Sequence, residues 1–165
     1  MNRYHLIAIM CLALPGLGYE DCSEDPCQDI VNADGDGVIQ TTDMIDGDWR
    51  DTPPGPFDPW DFAVDCHYLH LTVSYSGGCA THDFTLFGST AFAESWPVQA
   101  DIWVVHDTPG DPCLAYITEE RVYDLTALGD AYREAYERDD LIEVNVRGAD
   151  GRILYTFAYD TYLGM

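Results

Sequence analysis

The chain has 165 residues, 30 acidic and seven basic, and a formal net charge of −23. All seven basic residues are arginines, which excludes Schiff-base and other lysine chemistry. So negative a chain repels phosphates, and neither nucleic acid nor an anionic membrane surface is an expected partner.

The N-terminus reads M-N-R-Y-H, then the apolar run L-I-A-I-M-C-L-A-L, then P-G-L-G. A basic start, a short apolar run and small closing residues predict a secretory signal over residues 1–18, too short to span a membrane. Lipid anchoring would need a cysteine directly after a small residue. Cys11 follows Met10 and Cys22 follows Asp21, so a freely secreted or periplasmic protein is expected. Without that leader about 147 residues remain, enough for one modest core and a small appendage. Thirty acids against six arginines then leave a net charge of −24, which suits solubility in a salty or calcium-bearing medium.

Residues 19–49 form an acidic segment. Within it, Asn32 to Asp43 reads N-A-D-G-D-G-V-I-Q-T-T-D. Side-chain oxygens fall at loop positions 1, 3 and 5 (Asn32, Asp34, Asp36), and Gly37 permits a sharp turn at position 6. Val38 would offer its carbonyl, Gln40 would act directly or through water, and Asp43 would close the shell. A hard cation such as calcium takes six to eight oxygens at about 2.3–2.6 Å, and a loop of this length can wrap them around it. The loop resembles the EF-hand, and more closely its dockerin-type variant, in which Asp often closes the loop. That resemblance covers these dozen residues and implies calcium as the ligand. Asp43 is one methylene shorter than the usual Glu, which implies weak binding. Pro26 interrupts the entering stretch and T-P-P-G-P follows the loop, so a lone Asp/Gly-rich loop like those of thrombospondin type 3 repeats is an alternative frame.

Residues 50–65 are rich in proline and predict an extended linker, docked through Phe57, Trp60 and Phe62. From Cys66 to the C-terminus the period becomes two. In Y-L-H-L-T-V-S-Y, Leu69, Leu71, Val73 and Tyr75 share one face. H-D-F-T-L-F, a strand from Val98 to His106, C-L-A-Y-I-T and E-R-V-Y-D-L supply further strands. One helix is predicted over 129–138, with Ala131 and Ala135 on its apolar face together with Tyr132 and Tyr136. A closing hairpin turns at Asp150-Gly151. Six or seven short strands with regular turns predict a mainly β fold: an antiparallel β-sandwich or barrel over 66–165. The segments G-G-C-A-T-H-D-F, I-W-V-V-H-D-T-P-G-D and V-Y-D-L-T-A-L resemble the β-sandwich of NigD-like exported proteins. That implies the same fold and export, and no chemistry.

Five cysteines follow the leader, and in an oxidising compartment disulfides are the default. Cys79 with Cys113 and Cys22 with Cys27 are the expected pairs, leaving one thiol over. The competing arrangement is a structural zinc site of Cys79, His82, His106 and Cys113, two thiolates and two imidazoles. His67 and His70 lie three apart on a strand, point to opposite faces and suit no shared metal. No G-x-S-x-G, H-E-x-x-H or phosphate-loop motif occurs. The expected function is therefore a secreted, non-enzymatic, calcium-binding β-sandwich module for an extracellular ligand or protein. The alternative is a secreted hydrolase or metal-dependent enzyme whose site is assembled from loops.

Overall fold

A computed structural model describes residues 41–43, 45–46, 49–51, 54–89, 91–108 and 110–164. Among these, nine strands form two sheets that share one core. The first sheet runs in the order β1 (Thr41–Asp43), β7 (Ala115–Asp124), β4 (Tyr68–Gly77), β3 (Asp58–Asp65). The second runs β2 (Ile45–Asp46), β5 (Asp83–Gly88), β6 (Gln99–Asp107), β8 (Leu141–Gly148), β9 (Ile153–Asp160). The architecture is a β-sandwich of seven long strands, two short ones and one α-helix.

Alternation builds it. Leu69, Leu71 and Val73 of β4 are fully buried, as are Ile102 and Val104 of β6 and Val144 and Val146 of β8. Successive strand residues point to opposite faces, so each such stripe supplies one wall of the core while the residues between them face outward, Asn145 alone of these being buried.

Four details differ from the sequence expectation. Residues 58–65 are a strand, β3, rather than linker, antiparallel to β4 from Asp58↔Ser74 to Asp65↔Tyr68. Pro59 is tolerated because β3 is an edge strand, where a missing N–H breaks no inner ladder. A bulge at Asp61, whose φ is 54°, absorbs the irregularity. The stretches 113–118 and 120–125 are not two strands but one, β7, paired with β4 along its full length. The sheets are also not purely antiparallel, because β6 and β8 are parallel. After β6 the chain crosses to the other sheet as β7 and returns through α1 (Thr126–Tyr136), so β8 re-enters in the direction of β6. A parallel pair needs a long crossover of this kind.

The helix itself starts three residues before the expected window. Leu128, Gly129 and Tyr132 are its buried residues, and Leu125 just ahead of it is fully buried too. Ala135 is exposed. Leu125, Leu128, Tyr132 and Tyr136 fall at helical spacing, which sets the buried face one step away from the alanines. Tyr132 stacks on Tyr136 at 4.6 Å, and Phe92 meets both rings edge-on.

Leu128 closes one end of the core with no exposed surface. Leu128→Ala should lower unfolding free energy by about 2–5 kcal/mol in urea titrations, the range for buried leucine truncations. A loss under about 1 kcal/mol, typical of surface substitutions, would show that α1 is peripheral to the core.

Candidate functional site

Opposite α1, the core stripes change from apolar to polar. On β4 the inward positions after Val73 are Tyr75 and Gly77. On β7 they include Glu119 and Arg121, which lie opposite Val73 and Leu71. The Phe84 stripe of β5 extends back to His82, and the Ile102–Val104 stripe of β6 ends at His106, register partner of Phe84. Both histidines are buried, at 3% and 1% exposure. They therefore occupy core positions, and every ring nitrogen needs a partner.

Those partners form one line. His106 Nδ1 lies 3.0 Å from the carbonyl oxygen of Pro56, and its Nε2 lies 2.8 Å from His82 Nδ1. His82 Nε2 then lies 3.2 Å from Asp111 Oδ2. A carbonyl only accepts, so His106 donates from Nδ1 and presents a lone pair at Nε2. His82 Nδ1 then faces that lone pair as donor, and its Nε2 faces the Asp111 carboxylate. The network thus holds a carboxylate at Asp111 and, with its pKa lowered by burial, a neutral ring at His106.

Asp111 is fixed by backbone as well as by His82. Its Oδ1 accepts from Cys113 N (2.8 Å), and its Oδ2 accepts from Cys79 N (2.8 Å) and Ala80 N (2.9 Å). These N–H groups, Cys113's foremost, outweigh desolvation and, with the His82 ring, hold the carboxyl well below the usual carboxylate range. Desolvation above all pushes the His106 imidazole down from 6.5, opposed by its bond to Pro56.

The walls are aromatic. Phe84 stacks on His106 at 4.3 Å with nearly parallel planes, and the Arg121 guanidinium sits 5.0 Å from the Phe84 ring centre. Tyr75 lies 4.7 Å from His82 and donates to Glu119 Oε1 at 2.8 Å; burial, then that bond, push its hydroxyl pKa up. Glu119 also pairs with Arg121. Gly77 is required by proximity. A Cβ there would stand 2.5 Å from His82 Nε2 and 3.2 Å from Asp111 Oδ2.

Cys79 and Cys113 are joined by a disulfide with Cα atoms 5.6 Å apart. Continuing the β4–β7 register past Gly77↔Ala115 puts these two residues directly opposite one another. Asp111, which the sequence reading did not single out, stands between that bridge and the histidines. His106 faces His82 and Pro56, one step away from the cysteines. The sequence signal of Asp111 is the run P-G-D-P-C, where a turn aspartate can accept from the N–H two residues on. Cys66, in the β3–β4 turn, is also disulfide-bonded. His70 pairs with Glu120 at 2.9 Å on the outer face of the first sheet.

Cys22, Cys27 and five of the calcium-loop residues (Asn32, Asp34, Asp36, Val38, Gln40) lie outside the described residues. Asp43 is the last residue of β1, parallel to β7 and opposite Asp124. The chain thus leaves the loop as a strand, whereas an EF-hand leaves it as a helix. Elsewhere, a surface groove of about 370 Å³ is lined by Pro54, Gly55, Pro56, Phe57, Arg152 and neighbours. No helix among the described residues is long and apolar enough to cross a membrane.

No family model matches the chain, and no curated protein matches it. Solved structures share the fold. A toxin-related protein from Parabacteroides distasonis superposes with a TM-score of 0.53 at 18% identity, over 74% of this chain and 62% of that one. A NigD-like immunity protein from Bacteroides caccae gives 0.52 at 15% identity, over 74% and 65%. The chain thus spans under two thirds of either protein's length. At these identities the likeness shows the fold alone.

Two outcomes are expected of this site. His106 is neutral in the fold and its pKa is depressed, so below about pH 6.5 the unfolded chain binds the proton first. Its contribution is complete above that pH and is lost as pH falls; Asp111, also depressed, loses its contribution at still lower pH. Urea midpoints should therefore fall as pH drops below about 6.5, and a midpoint that rises over that range would refute the neutral ring at His106. Gly77→Ala should push His82 off Asp111 and cost about 1–3 kcal/mol, the usual cost of overpacking. An unchanged midpoint in Gly77→Ala would show that the pair moves freely.

Proposed function

We propose that this chain is an exported, non-enzymatic β-sandwich module that acts by binding an extracellular ligand or protein, with a calcium loop ordering the segment ahead of β1. The observation that carries the non-enzymatic reading is the saturation of the buried polar cluster. Asp111, His82 and His106 satisfy one another and the backbone, with the His82 and Asp111 side chains only 1% and 2% exposed. A general base has to reach substrate with a free nitrogen or carboxylate, and this line of hydrogen bonds ends on a backbone carbonyl instead. Disulfide bonding of Cys79, Cys113 and Cys66 supports an oxidising compartment, secreted or periplasmic. The names of the two neighbours, an immunity protein and a toxin-related protein, accord with a protein that works by binding.

Calcium enters through residues 32–43. Asp43 is both the closing ligand of the proposed loop and the end of β1, so an ion there would pin an edge strand of the first sheet. A leader over 1–18 and an acidic loop segment over 19–49 complete the proposed organisation.

Titration calorimetry of the full chain tests this. One calcium should bind with Kd of about 10⁻⁴–10⁻³ M, the range of extracellular modules. At tenfold excess over Kd the native state should gain about 1.4 kcal/mol, read as a higher melting temperature. Absence of heat at millimolar calcium, or binding unchanged by Asp34→Ala with Asp36→Ala, would remove the loop from the proposal. Turnover of ester, glycoside or peptide substrates by the purified chain would overturn its non-enzymatic part.

A further inference from the structure

The cysteine pair, Asp111 and His82 carry a second possibility that depends on redox state. We propose that reduction of the Cys79–Cys113 disulfide uncovers a zinc site whose ligands are Cys79 Sγ, Cys113 Sγ, Asp111 Oδ2 and His82 Nε2, with His106 as the positioning residue behind His82.

Three of the four ligands already stand together, and the fourth adjoins the carboxylate. The sulfurs of Cys79 and Cys113 and a carboxylate oxygen of Asp111 lie within 4.8 Å of one another. His82 Nε2 is 3.2 Å from that carboxylate. Two thiolates bound to one tetrahedral zinc at about 2.3 Å each stand about 3.8 Å apart. Cα atoms 5.6 Å apart allow this by rotation of the two side chains. Two sulfurs, one imidazole and one carboxylate match zinc in ligand type and number.

The hydrogen-bond line supplies what a zinc-bound histidine needs. Such a ring donates from its other nitrogen to an acceptor that fixes its tautomer. His82 Nδ1 already donates to His106 Nε2, and His106 is locked in the accepting tautomer by Pro56 O. His82 Nε2, freed of any proton, therefore presents a lone pair on the side of Asp111, and a shift of the ring toward the rotated cysteine side chains completes the shell. Asp111 keeps its backbone donors, which hold it between the two cysteines.

The chemistry balances with a dithiol as reductant. Its two electrons and two protons convert the Cys79–Cys113 S–S bond into two thiols, while the dithiol closes to its own disulfide. Zinc binding then releases one proton from each thiol, together with any proton that His82 Nε2 carries. The oxidised chain offers only one carboxylate and one imidazole at this place, so the disulfide masks the site.

The test compares the full chain before and after reduction with a phosphine, under anaerobic conditions, by zinc competition against a chromogenic chelator. Cobalt substitution reports on thiolate ligation, and circular dichroism reports on the fold. The reduced chain should bind one zinc at least a hundredfold tighter than the oxidised chain. Cobalt should give tetrahedral visible bands with a thiolate charge-transfer band. Cys113→Ser and His82→Gln should each abolish those bands. His106→Phe should weaken zinc about 10- to 100-fold, as loss of an outer partner does, an effect absent if zinc merely meets unfolded thiols. Should the reduced chain lose its β-sheet signal, zinc added before reduction must preserve it. Equal zinc affinity in both redox states, unchanged binding in His82→Gln, or loss of fold despite zinc would each overturn the proposal.

Discussion

One carboxylate holds the polar end of this sandwich together. Asp111 accepts hydrogen bonds from Cys79, Ala80 and Cys113 backbone nitrogens and from the His82 ring. These groups come from the segments that leave β4, enter β5 and enter β7. Four donors onto one ionised group are charge-assisted bonds, stronger than neutral ones. Because the side chain is nearly buried, removing any partner leaves the others facing a charge that water cannot reach. The positions of His82 and His106, the small residue at Gly77 and the approach of the two cysteines all follow from keeping this carboxylate satisfied.

The apolar part of the fold was legible because it repeats. Period two places Leu69, Leu71 and Val73 on one face whatever the tertiary context, and the same holds for Ile102 and Val104. What escaped was set by relations between distant segments. Nothing local in D-P-W-D-F-A-V-D announces a strand, since its partner β4 provides the ladder and only its edge position admits Pro59. The parallel pairing of β6 and β8 is likewise a property of the crossover through β7 and α1, not of either strand's composition.

The polar cluster was half legible for the same reason. The spacing grouped Cys79, His82, His106 and Cys113, and the structure joins them as two pairs, cysteine to cysteine and histidine to histidine, linked through Asp111. The zinc alternative assigned His106 to the cysteines, because sequence distance cannot show that Phe84 stacks on that ring and that Pro56 O accepts its Nδ1–H. Asp111 was hidden by abundance. Among 30 acidic residues the turn run P-G-D-P-C that holds Asp111 does not stand out until its surroundings are seen.

The disulfide and the carboxylate act on different states of the chain, which is why both can be present without redundancy. A bridge between residues 34 apart stabilises chiefly by removing freedom from the unfolded ensemble, about 3–4 kcal/mol in the chain-entropy model. It does little to choose where Cys79 and Cys113 sit in the folded state, since the β4–β7 register already sets them opposite one another. Asp111 does the reverse: its bonds exist only in the native arrangement, and they fix the backbone of both cysteines directly. Breaking the S–S bond therefore costs the fold its entropic advantage while leaving the native positions specified. Two thiols released into a frame that remains organised around a carboxylate and an oriented imidazole do not drift apart, and this retained frame separates a preorganised ligand set from a merely reducible bridge.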